Sequence, residues 1–271
     1  MASDDSDSPP LKRLLDLSGR VAFVSGGAGL LGSQISRGLA ECGADVVIAS
    51  RDGAANEAFA EELRADHKVR TRGLAMDLRD AGTMTAALDA TLREFGGLHI
   101  LVNCSGYGRK NSWESITDQD WADDIDVSLN GVFRLTRRAF PALKETAGVI
   151  LNVASMYGLV APDHRIYDGD RYANPPSYGA AKAAILQFTR YLASFLAPHR
   201  IRVNAISPGP FPLETTQREN PAFMDRLGEH NPMGRIGRPY EVKGAAVFLC
   251  SDAASYITGA NLSIDGGWTA W

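Results

Sequence analysis

Arg20-Val21-Ala22-Phe23-Val24-Ser25-Gly26-Gly27-Ala28-Gly29-Leu30-Leu31-Gly32 is an apolar run that ends abruptly in glycines. The run predicts a buried strand, and the glycines predict a tight turn into an amphipathic helix over residues 33–42, closed by Gly43. A glycine at such a turn accepts positive φ, and one facing a ligand lets main-chain N–H groups approach a pyrophosphate. The helix N-terminus behind it adds partial positive charge. Gly26, Gly29 and Gly32 recur at every third position. Between a strand and a helix, that pattern reads as a dinucleotide loop, with a plain tight turn as the alternative.

Outward from this loop, strands and helices alternate. Residues 45–49, 70–76, 98–103, 148–154, 201–206 and 260–264 read as strands, and 55–66, 83–95, 177–196 and 241–250 as helices. Thr117, with Asp120 three residues on, predicts the N-cap of a helix running toward Thr146, kinked or broken near Pro141. The strands are continuous Val/Ile/Leu runs without polar alternation, as in a parallel sheet covered on both faces. The expected fold class is α/β: a doubly wound, Rossmann-like parallel sheet of about seven strands, helices on both faces, and a ligand crevice at the strands' carboxyl ends. Residues 1–15 are expected as a polar, disordered tail, and 16–271 as one dinucleotide-binding catalytic domain.

Composition narrows the function. Apolar residues make up 45%, charged residues 22%, and the net charge is −4, which argues against a nucleic-acid groove. No apolar run reaches membrane-spanning length, and the acidic start MASDDSDSPP is unlike a secretory signal. Cys42, Cys104 and Cys250 are odd in number and far apart, forming neither a metal pair nor a disulfide framework, so a cytoplasmic location is expected. The histidines lack metal-ligand spacing, and no metal is expected.

Strand two ends in Ala49-Ser50-Arg51-Asp52. NAD sites usually place an acid there for the ribose 2′-hydroxyl. Here Ser50 takes that place and Arg51 follows, a pair able to bind a 2′-phosphate, so NADP(H) is favoured and NAD(H) stays open. Further on, Ser177-Tyr178-Gly179-Ala180-Ala181-Lys182 opens the long helix. Tyr178 and Lys182, four apart, share one helix face. A nearby ammonium favours the phenolate, which would bring the Tyr178 proton into exchange near neutral pH. Taken alone, the pair also fits a packed aromatic beside a solvated lysine.

With these motifs together the chain resembles the short-chain dehydrogenase/reductase family in its single-domain form, over residues 17–271. The resemblance rests on the glycine loop, Asp77 after strand three, Asn103-Cys104-Ser105-Gly106 after strand four, Ser155 after strand five, Tyr178 with Lys182, Asn204 through Pro208-Gly209, and Asp265-Gly266-Gly267. It implies Tyr178 as general acid or base, Lys182 as its partner, and Ser155 as donor to the substrate oxygen. It implies a nucleotide held by Gly26, Gly29, Leu30 and Leu31 at the phosphates, and by Ser50, Arg51, Asp77 and Leu78 at the adenosine end. Asn103, Ser105 and Gly106 would flank it centrally, with Tyr178, Lys182, Pro208, Gly209 and Phe211 at the nicotinamide.

The chain departs from the family pattern in places. Leu30 stands where many members have glycine, and Cys104 where the second Asn of the strand-four motif is usual. Alignment of Val127-Ser128-Leu129-Asn130 puts Ser128 at the place of the family's fourth catalytic residue, usually Asn, so Ser128 joins the expected catalytic set. The interval from Ser155 to Tyr178 is longer than the family commonly has, and holds Tyr157, His164, Tyr167, Asp168, Asp170, Arg171 and Tyr172. Such an insertion reads as a polar wall for a hydroxylated, sugar-like substrate, with Tyr157, His164, Tyr167 and Phe211 as substrate residues, or as a subunit contact. Residues 210–232, with a short helix near 222–228, read as a proline-stiffened substrate loop.

The expected function is an NADP(H)-dependent carbonyl reductase or alcohol dehydrogenase of a small polar substrate. The alternatives are an NAD-dependent sugar or polyol dehydrogenase, an epimerase or dehydratase, and a non-catalytic NADP-binding sensor or scaffold. The resemblance further implies a homotetramer or homodimer built on the helices near 118–146 and 177–196 and on the C-terminal strand, with Trp271 able to reach a neighbouring subunit.

Overall fold

Alternate residues of a strand face opposite sides of a sheet, and in the central strands of this chain both sets are buried and mostly apolar. The computed structural model describes residues 8–106, 111–167 and 174–271. Seven strands form one sheet: β1 (Val21–Ser25), β2 (Asp45–Ser50), β3 (Thr71–Ala75), β4 (Ile100–Asn103), β5 (Val149–Val153), β6 (Arg202–Pro208) and β7 (Asn261–Ile264). Their order is β3-β2-β1-β4-β5-β6-β7, and every neighbouring pair is parallel. The expected seven-stranded, doubly wound sheet is present. Its strand order reverses between β1 and β4, the place where such sheets open a crevice.

Val24, Ile48 and Val102 point to one face, under α2 (Leu30–Glu41), α3 (Gly53–His67) and α10 (Lys243–Cys250), where they pack with Ile35, Leu39, Leu63 and Leu249. Phe23, Val47 and Leu101 point to the other, under α4 (Ala81–Phe95), α6 (Gly131–Thr146) and α7 (Pro176–Leu196), and pack with Met84, Leu135, Leu143 and Leu192. Each fully buried aliphatic or Phe side chain contributes about 1.5–3 kcal/mol. That is why both faces are covered.

Helices begin earlier than the apolar pattern predicts, because caps set their starts. Asp52 accepts from Ala55 N at 2.9 Å, and Asp80 accepts from Gly82 N at 2.7 Å. Thr117 and Asp120 form the expected capping box of α5 (Asp118–Ile125). The expected break near Pro141 is absent: α6 runs through it. Leu135 and Ala139 on one side and Leu143 on the other are all buried in one core cluster, which offsets the roughly 3 kcal/mol of an interior proline. The irregularity lies earlier, at a π-helical turn over Asp126–Asn130 that packs against α7. At the N-terminus, residues 1–7 lie outside the described residues. Leu11–Leu14 form a short helix, α1, within the expected tail, and Leu15 packs on the core.

The insertion contains two 3₁₀ turns, Met156–Gly158 and His164–Ile166. Asp168, Asp170, Arg171 and Tyr172 lie outside the described residues. The substrate loop holds α8 (Glu214–Glu219) and α9 (Pro221–Glu229). The insertion packs directly on α9: Ile166, Phe223, Leu227 and Trp268 form one buried cluster. Arg226 Nε donates to Ile166 O at 2.9 Å, and His230 Nε2 meets Asp163 Oδ2 at 3.2 Å.

Candidate active site

The turn after β1 is shaped by its glycines. Gly26 has φ 71°, and a Cβ there would stand 3.0 Å from Ser105 N. A Cβ on Gly32 would stand 2.0 Å from Gly26 O. Only glycine lets this turn lie against the β4 loop and lets α2 start beneath it. Gly29, Leu30 and Leu31 then bring the N-terminus of α2 to a cavity of about 240 Å³, which Gly106, Ser155, Tyr178, Lys182, Pro208, Gly209 and Phe211 also line. An adjoining cavity of about 220 Å³ is lined by Ser50, Arg51, Asp77, Leu78, Arg79 and Ser105. Gly26, Gly29, Cys104 and Gly106 line both, so the two form one groove across the ends of β1 and β4.

This groove fits a dinucleotide. A Cβ-free cradle and a helix N-terminus face it centrally, and two arginines stand at one end. Arg51 is exposed and has no ion pair among the described residues. Arg79, which the sequence reading passed over, lines the same end, and Oδ1 of Asp77 accepts from its main-chain N–H at 2.9 Å. Ser50 Oγ donates to Asn56 Oδ1 at 2.8 Å. Its hydrogen is therefore committed, and an anion at this end falls to the arginines. Asn103 does not line the groove. Its Nδ2 donates to Thr136 Oγ1 at 3.1 Å and Asn152 Oδ1 at 2.9 Å, and Asn152 Nδ2 donates to Thr189 Oγ1 at 2.9 Å. A buried polar chain thus joins α6, β4, β5 and α7, and Asn103, expected to flank the nucleotide, ties strands and helices together behind it.

A third cavity, of about 260 Å³, opens beyond Tyr178 and is lined by Ser155, Tyr157, Tyr167, Asn174, Gly209, Phe211 and Phe223. Ser155, Tyr178, Gly209 and Phe211 also line the groove, so they stand where the two spaces meet. Tyr157 and Tyr167 are hydrogen-bonded to each other through their hydroxyls, and Tyr167 also bonds Asn174. His164 lies apart from Tyr178, in an outer cavity of about 730 Å³ with Trp113 and Glu114; Tyr157 and Tyr167 separate the two spaces.

Electrostatics corrects one expectation. Burial pushes the Tyr178 phenol above its ordinary value, and the hydrogen bond from Ser155 only partly opposes this. Lys182 is not what moves it. Its Nζ donates to Val153 O at 2.8 Å and stands 5.8 Å from the Tyr178 ring centre, and burial pulls the ammonium itself down to about 8. Desolvation therefore outweighs the charge that helical spacing brings near. Cys104, beside both groups, is pushed up to about 11 by burial, which leaves it a neutral thiol. Ser128 is fully buried in the π turn and is not among the described residues lining these cavities.

Residues 27–269 match the protein family described as enoyl-(acyl carrier protein) reductase. The chain is 37% identical to galactitol 2-dehydrogenase (L-tagatose-forming) of Cereibacter sphaeroides, over 94% of this chain and 97% of that protein. It is 31% identical to a 3-oxoacyl-[acyl-carrier-protein] reductase of Aquifex aeolicus, over 93% and 98%. A gluconate 5-dehydrogenase from Burkholderia cenocepacia, solved with NADP and tartrate, superposes with a TM-score of 0.87 at 29% identity, covering 97% of this chain and all of the other. No helix among the described residues is long and apolar enough to cross a membrane. With likenesses of this depth along nearly its whole length, the chain belongs to the short-chain dehydrogenase/reductase family and is an NAD(P)-dependent oxidoreductase of CH–OH or C=O groups.

Proposed function

We propose that the protein is an NADP(H)-dependent reductase or dehydrogenase of a carbonyl or secondary alcohol on a small polyhydroxylated substrate, with Ser155, Tyr178 and Lys182 as its catalytic residues. The observation that carries this reading is that Ser155 and Tyr178 line both the nucleotide groove and the adjoining cavity. A substrate oxygen at that junction meets both hydroxyls. In reduction Tyr178 Oη gives its proton to that oxygen, and Ser155 Oγ donates a hydrogen bond that stabilises the charge gathering there. In oxidation Tyr178 takes the alcohol proton. Lys182, held by Val153 O, presents an ammonium to the groove below about pH 8. When bound, the nicotinamide supplies the hydride donor or acceptor. Ser128, buried in the π turn, stands behind the residues that line these cavities, and no proton is routed through it.

NADP(H) over NAD(H) is favoured by Arg51 and Arg79 at the groove's end, with no acid at the tip of β2. A 2′-phosphate there gains charge-assisted hydrogen bonds. The polyhydroxylated substrate is supported by the hydroxyls of Tyr157 and Tyr167 and the amide of Asn174 in one small cavity, and by the galactitol and gluconate dehydrogenases among the similar proteins. A homo-oligomer is favoured by the outer faces of α6 and α7, where Phe133, Tyr191 and Phe195 are 46%, 59% and 60% exposed. Three separate free thiols suit a reducing cytoplasm.

Sugars, polyols and ketones assayed with NADPH or NADP and with NADH or NAD test this reading. A change in nicotinamide absorbance with a polyol or ketose, and a lower KM for the phosphorylated nucleotide, are expected. Tight nucleotide binding with no turnover of any alcohol or carbonyl would leave the non-catalytic alternative.

A further inference from the structure

We propose that Asp124 is a positioning residue for Tyr178, holding the first turn of α7 through Ser177. This rests on the catalytic reading of Tyr178 given above. The helix α7 is 21 residues long, yet nothing in its own sequence caps it: Pro175 at the N-cap position offers no side-chain bond, and its first turn holds no acid. Pro176 also lacks an N–H. The missing acceptor comes from another helix. Asp124, on α5, is fully buried, and its Oδ2 accepts from Ser177 Oγ at 2.5 Å. Ser177 is itself fully buried and directly precedes Tyr178.

The placement is costly. Asp124 Oδ1 is buried without a hydrogen-bond partner among the described residues, and an apolar side chain would fill the contact between α5 and α7 without burying a carboxyl group. What the carboxylate adds is a directional bond to the residue before Tyr178, at the positive end of a long helix. The first turn of α7 is otherwise tied by the main-chain bond from Tyr178 N to Pro175 O, 3.0 Å. If that turn shifts, Tyr178 moves away from Ser155, and small displacements of a reacting group are expensive in rate. Ser155, Cys104 and Lys182 face Tyr178 from one side, and Tyr157 and Tyr167 face it across the cavity. None of them holds the start of α7 as Ser177 does.

The test compares Ser177→Ala, Ser177→Thr and Asp124→Asn in the full chain. Expected are kcat values lowered roughly 5- to 100-fold in Ser177→Ala and Asp124→Asn, nucleotide KM unchanged, and recovery in Ser177→Thr, which keeps the hydroxyl. Should Asp124→Asn fail to fold, the alanine and threonine pair decides alone. Unchanged kcat in Ser177→Ala overturns the proposal. So does a loss of kcat that nucleotide affinity follows, or that threonine does not repair. If the unmodified protein turns over no alcohol or carbonyl, the catalytic reading has failed, and a second readout judges the positioning. The ring resonance of isotope-labelled Tyr178, assigned by its disappearance in Tyr178→Phe, is expected to shift in Ser177→Ala and return in Ser177→Thr. An unmoved resonance overturns the proposal.

Discussion

Lys182 Nζ donates to the main-chain oxygen of Val153 at 2.8 Å, at the end of the strand that leads to Ser155. The bond fixes where the ammonium stands, and burial lowers its pKa to about 8 from the ordinary 10.5. The unfolded chain therefore binds more protons between these values. Folding stability falls as pH drops through that window, and the penalty is complete below about 8. Lys182→Met removes the penalty but leaves Val153 O unpaired. A net gain on the order of 1–2 kcal/mol at neutral pH is expected, together with loss of turnover. Thermal unfolding of the two proteins at neutral and alkaline pH measures it; a variant less stable at both would contradict the account.

The raised pKa of Tyr178 sets the direction of the activity profile. Reduction needs the phenol protonated and should be level through neutral pH. Oxidation needs the phenolate, so its kcat/KM should still be climbing above neutrality. A plateau for oxidation already reached at neutral pH would show that burial does not govern this group.

Arg51 is exposed at the groove's end without an ion pair among the described residues. Arg51→Ala should raise the KM for NADPH roughly 10- to 100-fold, the equivalent of one lost charge-assisted hydrogen bond, and leave that for NADH nearly unchanged. Equal effects on both nucleotides would place Arg51 away from the 2′-phosphate.

The insertion and α9 share one apolar cluster through Ile166, Phe223 and Leu227. Ile166→Ala should loosen this cover at a local cost of about 2–5 kcal/mol. Substrate KM should rise while nucleotide KM holds. His230→Ala removes a half-buried ring that meets Asp163, Arg226 O and Trp268, none of which lines the substrate cavity, and should change neither. If Ile166→Ala altered nucleotide KM instead, the insertion would not be the wall of the substrate cavity.

Ser128→Ala should cost about 1–3 kcal/mol of stability, the effect of disturbing a buried hydrogen-bonded hydroxyl, with kcat little changed. A loss of kcat beyond about 10²-fold at unchanged Tm would return that hydroxyl to the chemistry.

Much of this was readable from the chain. The uninterrupted apolar runs at Val21, Val46 and Ile100 predicted strands buried on both faces, and the glycines before Leu30 predicted the turn. Tyr178 and Lys182 were legible through their spacing, but the balance between them was not. Burial comes from β4, β5 and the insertion, which lie far away in sequence. The π turn at Asp126–Asn130 left no mark because the buried positions there and just before it, Asp120, Asp124 and Ser128, are polar and carry no apolar period to be shifted, whereas Pro141 marked a break that core packing overrides. Arg79 could have been found two residues after Asp77. The ties Asp163–His230 and Asp124–Ser177 could not, since only the fold brings those positions together.

The most direct measurement compares Tyr178→Phe with the unmodified protein, using a substrate that the latter turns over. NADPH binding is read by fluorescence, and turnover by nicotinamide absorbance. Nucleotide affinity should be retained and kcat should fall roughly 10²- to 10⁴-fold, the range of a lost general acid. A phenylalanine variant that turns over at the rate of the unmodified protein would contradict the proton-transfer role on which the account is built.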